Sequence, residues 1–428
     1  MLRRTALACF AVALVIAPAR VEAQSLRSRI TDLFTFGDCG EPLCLDLGNE
    51  HGDHYLPAVT QGEFTVIGFV TEAIGKSVSS LPVASTSSGA TFAIVGGLPV
   101  RTSTSAGPIF GERAQTLGRG RFFIGANVSG IHFTSISGVP LSDVTINFGH
   151  QNVGDSALGD PTFEDDLIQL RLALDVDISV ATVFATWGIT DFVDIGVAVP
   201  FVRTSLNGAS EAQILPFGSG SSPVHFFAGT PSDPVLRAAS SVSDAASGIG
   251  DVVGRVKINL GQSSKFGAAI LGEVRFPTGN ERQLLGAGAT AVRGLGIASA
   301  QFGSFSPHLN VGYQARTADL QNDAILATVG FDNLLTEWAT FAFDLVSEWQ
   351  VGDSKLPLPG DIVYDEPFPR RIPSVSVPDR RDDIINATAG MKFTVRGGTV
   401  IVMNGIVPLR DVGLQPDFVW TVGLEFAF

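Results

Sequence analysis

Residues 418–428, FVWTVGLEFAF, end the chain with an apolar side chain at every second position. Successive side chains of a β-strand point to opposite faces, so this spacing predicts a strand with one wholly apolar face. The alternate positions include Thr421 and Glu425, which suit a polar surface. The apolar set runs to the last residue and comprises Phe418, Trp420, Val422, Leu424, Phe426 and Phe428.

The same two-residue period recurs through the chain. Within residues 167–179 the even positions are apolar, whereas the odd positions include Arg171 and Asp175. A soluble β-sandwich would show this alternation too, so no single strand distinguishes a soluble β-sandwich from a transmembrane β-barrel. Comparable patterns occupy residues 252–260, 266–276, 340–349 and 385–396. Each is close in length to a membrane-crossing strand, which has about 9–11 residues.

Composition favours the membrane class. The chain is 45% hydrophobic and only 16% charged, yet no apolar run beyond residue 23 reaches the roughly 20 residues of a spanning helix. We therefore predict an all-β fold, a transmembrane antiparallel β-barrel of about 12–14 strands in the cell outer membrane. The aromatic ending resembles the signal that the barrel insertion machinery reads, which implies that role for Trp420, Phe426 and Phe428.

The start of the chain predicts export. Arg3 and Arg4 precede an apolar run, and Val21-Glu22-Ala23 offers a cleavage site, so residues 1–23 are expected to be a signal peptide. Cys39 and Cys44 lie beyond it, and in an oxidising compartment the pair favours a loop-closing disulfide over a metal site. The net charge of −14 and the lack of a basic stripe disfavour nucleic-acid binding, because no positive surface is available to neutralise phosphates.

Residues 24–110 differ from the rest of the chain. Apolar residues at helical spacing predict a short amphipathic helix there, and this segment is expected either to plug the lumen or to cap the barrel from the periplasm. Residues 111–428 are predicted to form the barrel. The helix is predicted from Phe64, Ile67, Ile74 and Val78.

Charged residues that alternate with the apolar ones are assigned to the lumen. Facing hydrocarbon would cost roughly 2–4 kcal/mol for each Arg or Lys at mid-depth. Long loops rich in Gly, Ser, Asp and Pro are expected on the outside at 136–165, 206–248, 278–293 and 351–382. The lumen candidates are Arg171, Asp175, Arg255, Lys257, Glu273, Arg275, Asp344, Glu348, Lys392, Arg396 and Glu425.

The sequence lacks the common motifs of hydrolases and metalloproteases. There is no Gly-x-Ser-x-Gly elbow and no His-Glu-x-x-His motif, and His51-Gly-Asp-His54 is better interpreted as a solvated loop than as a metal site. We therefore predict no enzyme activity, no cofactor and no metal. A triad assembled from distant residues remains an alternative.

Five local motifs occur in an order that is similar to that of a known protein family. SVSSLPVASTSSGATF (77–92), GPIFGERAQTLGRGRFFIGANVSGIHF (107–133), WGITDFVDIGVAVPFV (187–202), GIGDVVGRVKINL (248–260) and GEVRFPTGNE (272–281) follow one another along the chain. This series resembles the outer-membrane transporter family named after the meta-pathway of phenol degradation, itself distantly like long-chain fatty acid transporters. The resemblance implies passive uptake of small hydrophobic or aromatic molecules.

The expected partners are therefore outer-membrane lipid, the barrel insertion machinery and a small hydrophobic solute. Two other hypotheses remain at this stage. One is a structural or surface-interaction barrel with a closed lumen, and the other is a barrel-embedded hydrolase.

Overall fold

The computed structural model describes residues 24–36, 55, 68, 92–95, 98–101, 105–150, 166–215, 225–230, 232–355, 358–364, 369–395 and 398–427. Helix α1 spans Leu26–Asp32, and a 3-10 turn spans Glu281–Gln283. The strands are β1 (Phe92–Val95), β2 (Leu98–Arg101), β3 (Phe122–Ile136), β4 (Val139–Pro140), β5 (Val144–Gly149), β6 (Leu167–Gly188), β7 (Val193–Leu215), β8 (Ala228–Thr230), β9 (Asp233–Val235), β10 (Arg237–Ile249), β11 (Val253–Gln262), β12 (Phe266–Arg275), β13 (Ala291–Ala300), β14 (Phe305–Arg316), β15 (Ala324–Thr336), β16 (Ala339–Gln350), β17 (Ile362–Tyr364), β18 (Arg370–Ile372), β19 (Ile384–Thr394), β20 (Thr399–Pro408) and β21 (Leu414–Ala427).

Twelve antiparallel strand paths close into one barrel, as the sequence predicts. Closure is made by β21, whose Val422 lies opposite Val128 of β3. Strands β10 and β11 form a single path, because both pair with β7. The pairs Ile249–Phe201 and Val253–Ala198 are offset by one residue, so a bulge lies between β10 and β11.

The two ends of the barrel differ. The short-turn end carries the tight connections, such as residues 189–192 and 337–338, and the long-loop end carries the others, such as residues 351–383. The predicted loop at 206–248 is wrong, because β7 runs to Leu215 and β10 starts at Arg237. Alternating small and polar residues there resemble a loop in composition although they form strands.

Strands β6 and β7 are 22 and 23 residues long, about twice the length of a membrane-crossing strand. Together with β5 and β10 they continue past the long-loop rim as a four-stranded sheet. We call this sheet the extension.

The outer wall of the barrel is apolar. Alternate residues of every barrel strand are exposed there, for example Val128, Val197, Ile270 and Leu424. A closed barrel with such a wall pairs its backbone internally and presents only apolar side chains to lipid, which is the architecture of outer-membrane barrels. No helix within the described residues is long and apolar enough to cross a membrane.

Aromatic pairs mark the short-turn end of this wall, where amphipathic rings meet the membrane interface. Phe122 stacks on Trp187 with 5.8 Å between ring centroids. The pairs Phe266–Phe302 and Trp338–Phe393 lie at neighbouring turns, each with centroids 5.9 Å apart.

Helix α1 lies against the inner face of the extension. Ser25 caps it by accepting a hydrogen bond from the Ser28 amide, and Leu26 and Ile30 are fully buried. Ser210 of β7 donates to the Leu33 carbonyl at 2.6 Å. The long-loop end of the interior is therefore filled by an apolar core. Its members include Leu26, Ile30, Leu33, Phe34, Phe36, Tyr55, Leu170, Leu172, Leu174, Val176, Leu206, Ile214, Leu284 and Leu285.

Several predicted features of the N-terminal region lie outside the described residues. They are the signal peptide, Cys39, Cys44 and the helix residues Phe64, Ile67, Ile74 and Val78. The predicted start of the barrel at residue 111 differs from the structure, in which the first barrel strand begins at Phe122.

Candidate lumenal site

Residues 105–118 run inside the barrel, and we call them the inner segment. Most of these residues are buried, including Ala106, Ile109, Ala114 and Leu117. Glycines and one proline in GPIFGERAQTLG disfavour a helix or a regular strand, so the backbone is extended and irregular and its polar groups require partners. The barrel wall supplies those partners.

Wall side chains bind the backbone of the inner segment. The amides of Phe110 and Gly111 donate to Asp344 Oδ2 at 3.2 and 3.1 Å. Asn310 pairs with Glu112 in both directions, since its Oδ1 accepts from the Glu112 amide at 2.7 Å and its Nδ2 donates to the Glu112 carbonyl at 2.8 Å. Asn259 donates to the Ala114 carbonyl at 2.7 Å.

Two charged side chains of the inner segment are held by ion pairs. Glu112 lies 3.3 Å from Lys257 and 3.8 Å from Arg255, both on β11. Arg113 pairs with Asp332 of β15 and also donates to Ser105. All of these side chains are almost completely buried, so each charge depends on its partner.

The ion pairs continue along the wall. Glu273 of β12 lies 2.7 Å from Arg255 and 2.5 Å from Arg293. Arg316 of β14 pairs with Glu348 of β16 at 2.7 Å. In these cross-strand contacts, acidic and basic side chains of the lumenal wall neutralise each other.

His308 and Asp344 form a further buried pair, with Nε2 2.6 Å from Oδ1. The inner segment passes this pair at Gly111, where an added Cβ would lie 2.0 Å from His308 Nε2. A glycine is required at this position because any side chain would push the segment off Asp344.

Most of the predicted lumenal residues face the interior. Arg255, Lys257, Glu273, Arg275, Asp344, Glu348, Lys392 and Glu425 are buried on the inner faces of their strands. Arg396 lies outside the described residues.

The prediction is wrong for Arg171 and Asp175. Both are exposed on the outer face of β6, whereas Leu170, Leu172 and Leu174 point inwards. These residues belong to the extension, whose outer face meets water and whose inner face packs on α1. The usual membrane-barrel arrangement of polar inside and apolar outside is therefore reversed there.

Sequence reasoning missed the inner segment and its anchors. Glu112 and Arg113 lie in a stretch without a period. His308, Asn310 and Asp332 do alternate with apolar neighbours, but sequence reasoning did not use that signal. One clue was the adjacent Glu112-Arg113 pair within an otherwise apolar and glycine-rich stretch, since such charges require partners when buried.

A recess remains on the other side of the interior. The hydrogen bonds and ion pairs of the inner segment run to β7, β11 and β13–β16, and the segment leaves a recess against β3, β6, β20 and β21. Near its wall, Lys392 lies 3.1 Å from both oxygens of Glu425. The recess is lined by Ile109, Phe110, Ala126, Asn127, Phe184, Val402, Asn404, Thr421, Gly423 and Glu425.

One group of potential metal ligands occurs among the described residues. His132, Asp175 and Asp177 have ligand atoms within 4.8 Å of one another, and all three are exposed. Their strand positions place them on the outer face of β3 and β6, outside the lumen.

No family model and no curated protein matches the chain. Among solved structures, the chain is similar to an outer membrane channel from Pseudomonas putida F1, with 13% identity, 74% of this chain and 98% of the other covered, and a TM-score of 0.43. It is also similar to a Pseudomonas aeruginosa FadL homologue, with 10% identity, coverage of 72% and 89%, and a TM-score of 0.32. The CymD monoaromatic hydrocarbon channel has 7% identity, coverage of 73% and 89%, and a TM-score of 0.33.

Proposed function

We propose that this chain is an outer-membrane channel for the passive uptake of small hydrophobic molecules. The observation that carries the proposal is the asymmetric placement of the inner segment. Its hydrogen bonds and ion pairs run to one side of the lumen, and a recess is left between it and the opposite side, walled in part by Ile109, Phe110, Phe184 and Val402. Apolar and aromatic side chains with few polar groups are typical of small-molecule sites.

The expected orientation follows from loop length, since outer-membrane barrels have short periplasmic turns and longer external loops. The long-loop end would then face outwards, and solute would enter past the core around α1. The inner segment narrows the lumen next, and its loosening would widen the recess into a passage. This step requires no cofactor or energy source, because solute moves down its gradient.

The test is solute uptake by a porin-deficient bacterial host with an intact lipopolysaccharide layer. Labelled ethylbenzene and a sugar of similar size would be compared in cells with and without the protein. Faster entry of ethylbenzene alone supports the proposal. Entry of both solutes would indicate a general pore.

A structural barrel is the second candidate, and the buried ion pairs favour it. The pairs Glu112–Lys257 and Arg113–Asp332 fix the inner segment in the lumen, as a permanently closed barrel would require. Entry of neither solute, with the protein correctly folded in the membrane, would favour this candidate over the channel.

A further inference from the structure

The recess contains an amide oxygen without a partner. Asn404 lies on the inner face of β20, and its Oδ1 atom is buried. No hydrogen-bond donor reaches this atom from the part of the chain that the structure describes. Asn310, on the inner face of β14, uses both ends of its amide on Glu112. Buried carbonyl groups are almost always paired, so the Asn404 oxygen marks a position where a donor is expected.

Two other polar side chains at the recess, Thr421 and Glu425, are already engaged. The Thr421 hydroxyl lies 2.8 Å from Ser129 Oγ, and Glu425 is held by Lys392. Because Glu425 and Lys392 compensate each other, the recess presents no unbalanced charge from this pair. Asn404 Oδ1 is therefore a buried acceptor at the recess that has no partner among the described residues.

Apolar side chains surround the remainder of the recess. Ile109 and Phe110 belong to the inner segment, whereas Phe184 and Val402 belong to the wall. An added Cβ at Gly390, next to this wall, would lie 2.4 Å from Ile109 Cδ1, so the inner segment seats closely there.

We infer that the recess is a binding site for a small neutral molecule with an apolar body and one hydrogen-bond donor, which Asn404 Oδ1 accepts. This inference rests on the proposed function and adds a selectivity to it. A solute bearing a hydroxyl would be preferred over one of the same shape that carries only an acceptor or no polar group. Discrimination arises because a solute without a donor leaves the buried oxygen unpaired.

The experiment compares uptake of benzyl alcohol, benzyl methyl ether and ethylbenzene in the porin-deficient host. The unsubstituted protein is expected to take up benzyl alcohol preferentially. Asn404→Leu, which keeps the approximate shape, should lower benzyl alcohol uptake by roughly three- to tenfold and leave ethylbenzene uptake unchanged. Asn386→Leu is the matched control, since the Asn386 Oδ1 is also buried without a partner among the described residues but does not line the recess.

The outcomes separate this inference from the proposed function. If ethylbenzene enters but benzyl alcohol has no advantage, or keeps its advantage in Asn404→Leu, the donor site is refuted and the channel stands. If no probe enters faster than in cells without the protein, the channel itself is refuted. Heat-dependent gel mobility of each variant confirms that the barrel has folded.

Discussion

Lys257 Nζ lies 3.3 Å from Glu112 Oε2, which joins the inner wall of β11 to the inner segment by a buried ion pair. Lys257 also reaches the carbonyl of Arg113 at the same distance. One lysine therefore holds both a side chain and the backbone of the segment that narrows the lumen.

Glu112→Gln is expected to loosen the inner segment. Removing one partner of a buried ion pair costs about 3–5 kcal/mol because the other charge is left uncompensated. Single-channel recordings in planar bilayers should show more frequent or larger openings. Glu211→Gln is the control, because the Arg237–Glu211 pair is exposed and contributes little. Unchanged recordings for Glu112→Gln would argue against the segment as the closing element.

Gly111→Ala is expected to displace the inner segment from Asp344. The new Cβ would lie 2.0 Å from His308 Nε2, a distance that forces the backbone away. We expect faster hydrogen exchange at the amides of Phe110 and Gly111, and increased conductance. Gly272→Ala is the control, since its Cβ would meet nothing within 4 Å. Equal exchange in the two variants would show that the close approach is not a constraint.

Cysteine labelling tests the reversed faces of the extension. Arg171→Cys should react with a membrane-impermeant maleimide on intact cells, because this position is exposed on the outer face of β6. Leu172→Cys should resist labelling, because Leu172 is 1% exposed and packs in the apolar core. Labelling of Leu172→Cys but not of Arg171→Cys would instead show that Arg171 faces the lumen.

The loop before β15 should be sensitive to acid. A hydrogen bond from Tyr313 and another from the Arg316 amide lower the pKa of Asp323 below its usual value. A lowered pKa means that the stabilisation is complete above the unfolded value of about 3.9 and is lost as the pH falls through the folded value. Protection of the Arg316 amide from hydrogen exchange should therefore be constant near neutral pH and decline below about pH 4.

Asp323→Asn is the matched variant for this measurement. It should show weaker protection at neutral pH and little further change in acid, because its amide does not titrate. A decline of the same size in the variant would assign the acid sensitivity to another group.

Much of the barrel could be predicted from particular residues. The alternation in β11, with Val256 on one face and Arg255 and Lys257 on the other, predicted the inward charges correctly. Such prediction works inside the membrane, because hydrocarbon on one side excludes charge from that face. The same period in β6 predicted two faces but not their environments. Arg171 was misplaced because its part of the strand lies beyond the rim.

The inner segment was not predictable in this way. Its contacts join residues far apart in sequence, such as Glu112 with Lys257 and Gly111 with Asp344. A short stretch of glycines, proline and isolated charges has no period, so its location depends on which wall groups can satisfy its backbone. Helix α1 was likewise missed, although Ser25 and the spacing of Leu26, Ile30 and Leu33 carry a helix signal.

The sequence by itself determined that this chain forms strands with one apolar and one polar face, because side-chain direction alternates along any strand. It also determined that charged residues within membrane-length strands point inwards, because exposing a charge to hydrocarbon is energetically costly. Only the tertiary structure decided how many strands close the barrel, where the bulge between β10 and β11 lies, and which side of the lumen the inner segment occupies. Those features depend on long-range pairing, in which each backbone group and each buried charge must find a partner distant in the chain.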